Sequence, residues 1–431
     1  MPAWSLRRWL FIVLLGLALF GLLAWTMVDR ALGALPPFSA VRDAMTRRSP
    51  VLSAPLRWLR PAPDPLDLAG LATWRPAAGV PGEGVHHAVS SLEGLRAAMD
   101  AARGGDTIEL AAGDYPLDEA LRSRVDGWER APIRLRGQPG ARLLLRQGVA
   151  LDLQNAWWLV EDLRIEGRCA ASAPCEAGVR VGGQADHVLL QRLQFQGLGV
   201  AVRVAGRDPH WPDHGAVLDS LFVLDAPTSG AVAGQALHLQ GGSHWRFSGN
   251  RVFGVGKPLG DGAAYAVLAK GGGEGLLVER NLIVCSPEPM PGADAQLGIG
   301  LGGAGTPTRW LRDPDQRFEH QHARVVDNVV SNCSDAAIDL YRSRDILLQQ
   351  NTLLASSGIV LRGAGSEAVL RRNLTSGAWY PQGGTQVSGG YNLRWVPDGR
   401  SLPDALKQAR ALPAPPGASQ PAGADTRWLL P

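Results

Sequence analysis

One short phrase recurs eight times between Leu163 and Asn373, as LVEDLRIEG, LLQRLQFQG, VLDSLFVLD, RFSGNRVFG, LVERNLIVC, RVVDNVVSN, LLQQNTLLA and VLRRNLTSG. Aligned, the copies place Leu163, Leu193, Leu221, Asn250, Asn281, Asn328, Asn351 and Asn373 in one column, separated by 30, 28, 29, 31, 47, 23 and 22 residues. Periods of this size belong to stacked repeats, whose units bury their apolar faces only against neighbours. Each phrase alternates apolar and polar residues and is rich in Val, Leu and Ile, the pattern of a half-buried strand. A second apolar segment follows in nearly every copy: AGVRVGG, VAVRVAG, QALHLQGG, AYAVLAKGG, LGIGLGG, AAIDLYRS and SGIVLRG. Two or three short strands per turn with no helix between them predict an all-β fold, a single-stranded parallel β-helix. Asn in the column suits a tight bend and offers its amide to the Asn one rung away.

The repeats span half of the 431 residues, which argues for one long domain with additions, here placed at 86–395. Before it, residues 9–28 are an uninterrupted apolar run behind Arg7 and Arg8, long enough to cross a bilayer. Positive charge ahead of the run places the N-terminus in the cytoplasm and the rest outside, so 1–30 reads as a transmembrane anchor in the inner membrane of a periplasm-facing protein. The alternative is a cleaved signal peptide, with small Ala31 and Gly33 at cleavage spacing and a secreted product. Residues 31–85 are Pro-rich and aperiodic and read as a linker. Ser90 and Glu93 form a capping box for a helix carrying Leu92, Leu95, Met99 and Ala102 on one face, placed to cover the open N-terminal end. Residues 396–431 read as a loose tail with one short helix over 403–410.

Forty Arg and three Lys stand against 40 acidic residues, a net charge of +3, so the balance demands no nucleic-acid partner. Outside the cytoplasm the four cysteines can pair. Cys285 and Cys333 follow Asn281 and Asn328 by four and five residues, which puts them on adjacent rungs about 4.8 Å apart. Cys169 and Cys175 would close a small loop, and buried free thiols are the alternative for both pairs.

The repeat also sorts side chains by face. Setting Val181, Val204, Leu239, Leu268, Leu301, Leu340 and Leu361 inward puts Arg180, Arg203, His238, Gly300 and Asp339 outward one place earlier. Gln240, Tyr341 and Arg362 point outward one place later. Lys270 and Arg342 fall at equivalent strand ends two rungs apart, about 9.6 Å by strand spacing. Such a stripe offers cations to successive carboxylates and groups able to move a proton, which suits an acidic polysaccharide; a solvated sheet face is the plain alternative. For elimination the roles are Lys270 as base, Tyr341 as acid and Arg342 as carboxylate neutraliser. For glycoside hydrolysis the candidates are Asp339 and Asp335. The 47-residue gap holds two insertions, 286–296 and 304–320, of the kind that border binding faces. Glu319, His320 and His322 are placed to line the groove or ligate a metal. Trp157, Trp158, Trp211, Trp245 and Trp310 are candidates to stack on sugars; core and rung-edge packing is the use expected of most of them, with Trp310, on the insertion, the exception.

The run VSSLEGLRAAMDAARGGDTIELAAGDYPL, followed by PIRLRGQPGARLLL and WWLVEDLRIEG, resembles the start of the polysaccharide lyases that include chondroitinase B and the alginate lyases. The resemblance covers about residues 85–375 and implies a right-handed helix. It also implies that Lys270, in AYAVLAKGGGEGLLVERN, is the base. The family's Arg-His-Gly segment has no counterpart where Pro291 and Gly292 stand, and its acidic calcium ligands have none near Ala263 and Tyr265. The expectation is therefore a membrane-tethered β-helix that binds and cleaves a polysaccharide with no cofactor, calcium being the alternative that the resemblance implies although the family's ligands are unmatched. The alternative is a non-catalytic envelope protein that binds a glycan or another protein.

Overall fold

The computed structural model describes residues 84–170, 172–206, 209–224, 234–255, 263–286, 295–399, 401–414 and 421–429. The apolar run 9–28, nearly all of 31–85 and most of the insertion 286–296 lie outside the described residues. Among those described, no helix is long and apolar enough to cross a membrane.

Short strands repeat around a coil and stack into three long parallel sheets of 12, 10 and 11 strands. The first runs from His86–Val89 to Gln386–Gly390, the second from Leu121–Arg122 to Ala378–Pro381, and the third from Gly113–Leu117 to Leu393–Arg394. This is a parallel β-helix. Its core is continuous because each rung offers Val, Leu, Ile or Phe to the next; Phe195 stacks on Phe222 with ring centroids 4.9 Å apart. A helix, α1 (Leu92–Ala101), lies at the N-terminal end and buries Leu95, Ala98 and Met99. Its cap is Ser91 rather than Ser90: Ser91 is the last extended residue before the helix, and its hydroxyl accepts from the Gly94 amide at 3.0 Å.

The asparagine column is a hydrogen-bonded ladder. Asn250, Asn281, Asn328, Asn351 and Asn373 are buried, and the Oδ1 of each of the last four accepts the backbone N–H of the Asn one rung earlier at 2.9–3.1 Å. Ser220 opens the ladder and Asn392 extends it, since Ser220 N–H donates to Asn250 Oδ1 and Asn373 N–H to Asn392 Oδ1. Ser220, not Leu221, is thus the column residue in its rung. The unusual backbone angle belongs to the preceding residue, left-handed at Asp219, Gly249, Arg280, Asp327, Gln350 and Arg372.

The C-terminal region departs from a loose tail. Helix α2 (Leu402–Arg410) packs Leu402, Ala405 and Leu406, together with Leu429, on Leu282, Val284, Val329 and Leu354. Those four residues give the third sheet an apolar outer face, and the segment returns to cover it. Disulfides join Cys169 to Cys175 and Cys285 to Cys333, with Cα atoms 5.4 and 4.8 Å apart.

Candidate functional site

The outer face of the ten-stranded sheet carries the stripe, and its register corrects one phase. Leu239 pairs with Ala269 and Ala269 with Leu301, so Ala269 takes the inward place and Leu268 sits outward opposite His238 and Gly300. The segment Tyr265–Ala269 is apolar on both faces, so alternation gives it no phase. Lys270 consequently shares a column with Gln240 and with Tyr341 two rungs on, while Arg342 lies one residue past it.

Leu268 belongs to a second apolar cluster outside the wall, with Tyr265, Ala295, Leu297, Ala336 and Val360. Under it Asp339, 0 % exposed, accepts two bonds from Arg362, each 2.9 Å, and one from the Tyr265 hydroxyl at 3.0 Å. Burial pushes the Asp339 carboxyl up, and the Arg362 guanidinium opposes the shift. Arg362 also donates to the Gly303 carbonyl and lies 4.5 Å over the Tyr341 ring. Neither Asp339 nor Arg362 faces solvent as the alternation suggested, because the apolar residues around them build an outer layer over the pair. Asp335 is likewise buried and bonded to Ser334, so no carboxylate pair is open to a polymer.

Residues 302–318 fold back along the same wall. Arg312 pins them with a bidentate bond to Asp213 at 2.7 and 2.8 Å, and reaches the Gly241 carbonyl and Ser243 hydroxyl at 3.0 Å. Gln240 donates to the Trp310 carbonyl at 3.5 Å, and the Trp310 ring itself remains exposed. Arg342 is spent on the segment's other end, donating from Nε to the Arg317 carbonyl at 2.9 Å. Its left-handed corner conformation turns it out of the stripe.

Beneath this segment Lys270 donates to the Gly305 carbonyl at 3.4 Å. Burial lowers its pKa, opposed by the charge of Glu319. Glu319 is buried and accepts from the amides of Gly271 and Thr306 and from the Thr306 hydroxyl. A Cβ on Gly305 would lie 3.4 Å from both Glu319 Oε1 and the Tyr341 ring, so the amine, carboxylate and phenol surround one glycine. A rung below, His238 is half-buried, and its Nε2 is enclosed with no partner among the described residues. Burial, then the charges of Lys270 and Arg203, hold its pKa at about 3. Arg203, beside His238, has an enclosed Nε with no partner among the described residues. Arg180 differs: its guanidinium is held by Asp152 at 3.0 and 2.6 Å. Lys270, Tyr341, Arg203, His238 and Gln240 therefore gather on one stretch of wall; Asp339, Arg342, Arg362 and Arg180 are committed elsewhere.

The remaining residues separate. His320 is fully buried with both ring nitrogens unpartnered among the described residues, and burial lowers its pKa to about 3. His322 is exposed between Glu274 and Asp345, 3.2 Å from each. Glu319 turns to Thr306, so the three do not form a metal-ligating set. Trp158 and Trp245 are core residues whose indoles donate to the carbonyls of Val125 and Pro212, and Trp211 fills the space beside Gly241. A ring ladder escaped the sequence reading: Trp157, His187, His214 and His244 stack with centroids 4.0, 5.0 and 4.9 Å apart. Its signal is present in the sequence, because each ring stands one or two residues ahead of a strand at the repeat period.

No family model matches the sequence, and no curated protein matches it. Solved structures do match in fold. They include an alginate lyase from Paenibacillus sp. str. FPU-7 (14% identity, 71% of this chain and 98% of that chain, TM-score 0.45). A rhamnogalacturonan lyase matches at 10% identity over 78% of this chain and 95% of that chain, TM-score 0.46. The catalytic unit of a GH87 alpha-1,3-glucanase from Streptomyces thermodiastaticus strain HF3-3 matches at 13% identity over 83% and 73%, TM-score 0.45. The likenesses are in chain path and assign no residue.

Proposed function

We propose that the protein binds an acidic polysaccharide along the outer wall of the ten-stranded sheet and cleaves it by elimination at Lys270. The observation that carries this reading is the Lys270 amine, its pKa lowered by burial, on the same wall as Arg203, with His238 between them feeling both charges and the Arg203 Nε without a partner among the described residues. A lowered pKa makes the neutral amine available to act as a base. In the proposed step Arg203 pairs with the uronate carboxylate, which acidifies the adjacent C5 proton. Lys270 takes that proton, the C5 electron pair forms the C4–C5 double bond, and the C4–O bond breaks. The Tyr341 hydroxyl gives its proton to the departing oxygen. Arg203 thus replaces Arg342 as the neutraliser, since Arg342 holds the Arg317 carbonyl. Hydrolysis by Asp335 and Asp339 is not favoured, because both are buried.

The apolar run 9–28 supports a tether in the inner membrane with the β-helix in the periplasm, and the two disulfides suit that oxidising side. One observation favours a second reading, glycan binding without cleavage: Lys270 is engaged by the Gly305 carbonyl and lies under residues 302–318. The test is incubation of the purified protein with a panel of uronate polymers, following the ultraviolet absorbance of unsaturated ends and, in parallel, binding. Unsaturated product supports elimination. Binding to a polymer without product from any of them overturns elimination in favour of the second reading.

A further inference from the structure

The outer wall of the ten-stranded sheet differs on the two sides of Lys270. Toward the N-terminal end the register sets Arg122, Asp152, Arg180, Arg203 and His238 in one outward column, one residue per rung, and Lys270 stands in the next column a rung past His238. Arg122 and Arg180 share Asp152, yet their side chains stay 57% and 39% exposed, and two guanidiniums over one carboxylate leave that stretch positive. With Arg203 and Lys270 added, four cations face one anion. Five rung spacings place Arg122 about 24 Å from Lys270 along the axis.

Toward the C-terminal end the same wall changes character. The column continues through Leu268, Gly300, Asp339 and Val360, all buried. The Tyr265 ring fills the place over Gly300, where a Cβ would come within 2.4 Å of it. Onto this apolar layer the turn Gly303–Gly305 folds back, with left-handed backbone at both glycines. A Cβ on Gly303 would lie 3.0 Å from Leu268 Cδ1; the Gly303 carbonyl accepts from Arg362, and the Gly305 carbonyl accepts from Lys270 at 3.4 Å. The turn is therefore a ledge that stands at the Lys270 rung and is held from behind by the Arg362–Asp339 pair.

We propose that this ledge makes the polysaccharide groove blind at Lys270, so that an acidic chain enters end-on, lies along Arg203, Arg180 and Arg122, and is shortened from one end. The inference rests on the polysaccharide reading and adds its mode of attack. The cations repeat along the axis, so a chain laid along the axis meets them in succession, and one laid across the wall meets fewer. A chain that continued past Lys270 would have to pass where Gly303 and Leu268 are in contact. The charges beyond, Asp339 and Arg362, are buried and satisfy each other. Elimination at the blind end then releases a product of fixed size at each event.

The test uses the full chain, purified in detergent, and oligouronates of defined length carrying a bulky tag at the reducing or the non-reducing end. One tag should abolish binding and the other should not; tolerance of both, or rejection of both, would overturn the proposal. Arg122→Glu should weaken the binding of long chains by about threefold or more and leave the shortest bound chains unaffected. Gln382→Glu, beyond Arg362 on the far side of the ledge, should change neither, and a loss equal to that of Arg122→Glu would overturn the blind end. With a polymer that is cleaved, unsaturated ends should accumulate as one short product from the first time points while viscosity falls slowly. Early collapse of viscosity with a ladder of product sizes would overturn the proposal and leave elimination standing. Binding that depends on the tagged end, without product, would overturn elimination and leave the blind groove standing. Absence of binding to every uronate chain would overturn both.

Discussion

Asp339 and Lys270 leave the barrel wall on the same side, yet one is sealed and the other is half open. The difference lies in what covers them: Tyr265, Leu268 and Val360 around Asp339, and a pinned polar segment above Lys270. Arg362→Met should cost about 3–5 kcal/mol in denaturant unfolding because it strands a buried carboxylate, and Arg362→Met with Asp339→Asn should recover part of the loss. His320 makes a pH prediction. Its folded pKa of about 3 lies below the unfolded value near 6.5, so the unfolded state takes up the proton first. Its contribution is complete above pH 6.5 and is lost as pH falls toward 3, with a slope of about 1.4 kcal/mol per pH unit. Unfolding free energies measured at pH 7.5 and 4.5 should therefore diverge less in His320→Leu than in the parent; equal divergence would exclude the histidine as a source. Side-chain roles were only partly legible in the sequence. Lys270 stands out in the sequence as a rare lysine before three glycines, but alternation marks Asp339 and Arg362 as outward and is silent about the second layer that covers them.

Repeating elements were the most legible level, because the Asn column and the strand alternation report the same period independently. Phase failed where one signal was missing, at Ser220 before the asparagines begin and at Tyr265–Ala269, where both faces are apolar. The ladder makes a graded prediction. Asn281→Ala removes the acceptor of the Asn250 amide and the donor to the Phe247 carbonyl in the core of the stack. It should lower unfolding free energy by about 2–4 kcal/mol, against about 1 kcal/mol for Asn392→Ala at the partly exposed last rung. Equal losses would mean that the ladder is not a stabilising unit. The short C-terminal helix was legible over 403–410, but its docking was not, because the sheet face that receives it is built from Leu282, Val284, Val329 and Leu354 in distant rungs. Leu402→Asp with Leu406→Asp should release it, exposing Leu282, Val284, Val329 and Leu354. Stronger binding of an apolar dye and faster proteolysis after Leu393, with the β-helix still folded, are the expected readouts.

For the whole molecule, a stack of rungs builds a long flat wall whose chemistry is decided by one interruption. Residues 302–318 leave the repeat, return to Asp213, Gly241 and Ser243, and enclose the amine of Lys270. This convergence was invisible in the sequence because Arg312 and Asp213 are 99 residues apart and belong to no shared motif. Arg312→Ala should release the segment to proteases while changing unfolding free energy by only about 1–2 kcal/mol. The most direct measurement compares the protein with Lys270→Met at saturating uronate polymer, reading both bound polymer and the absorbance of unsaturated ends. Elimination at Lys270 predicts unsaturated product from at least one polymer, a loss of about 10²–10⁴-fold in its rate with Lys270→Met, and little change in binding. Product formed equally fast without the lysine, or neither product nor binding across the panel, would contradict it.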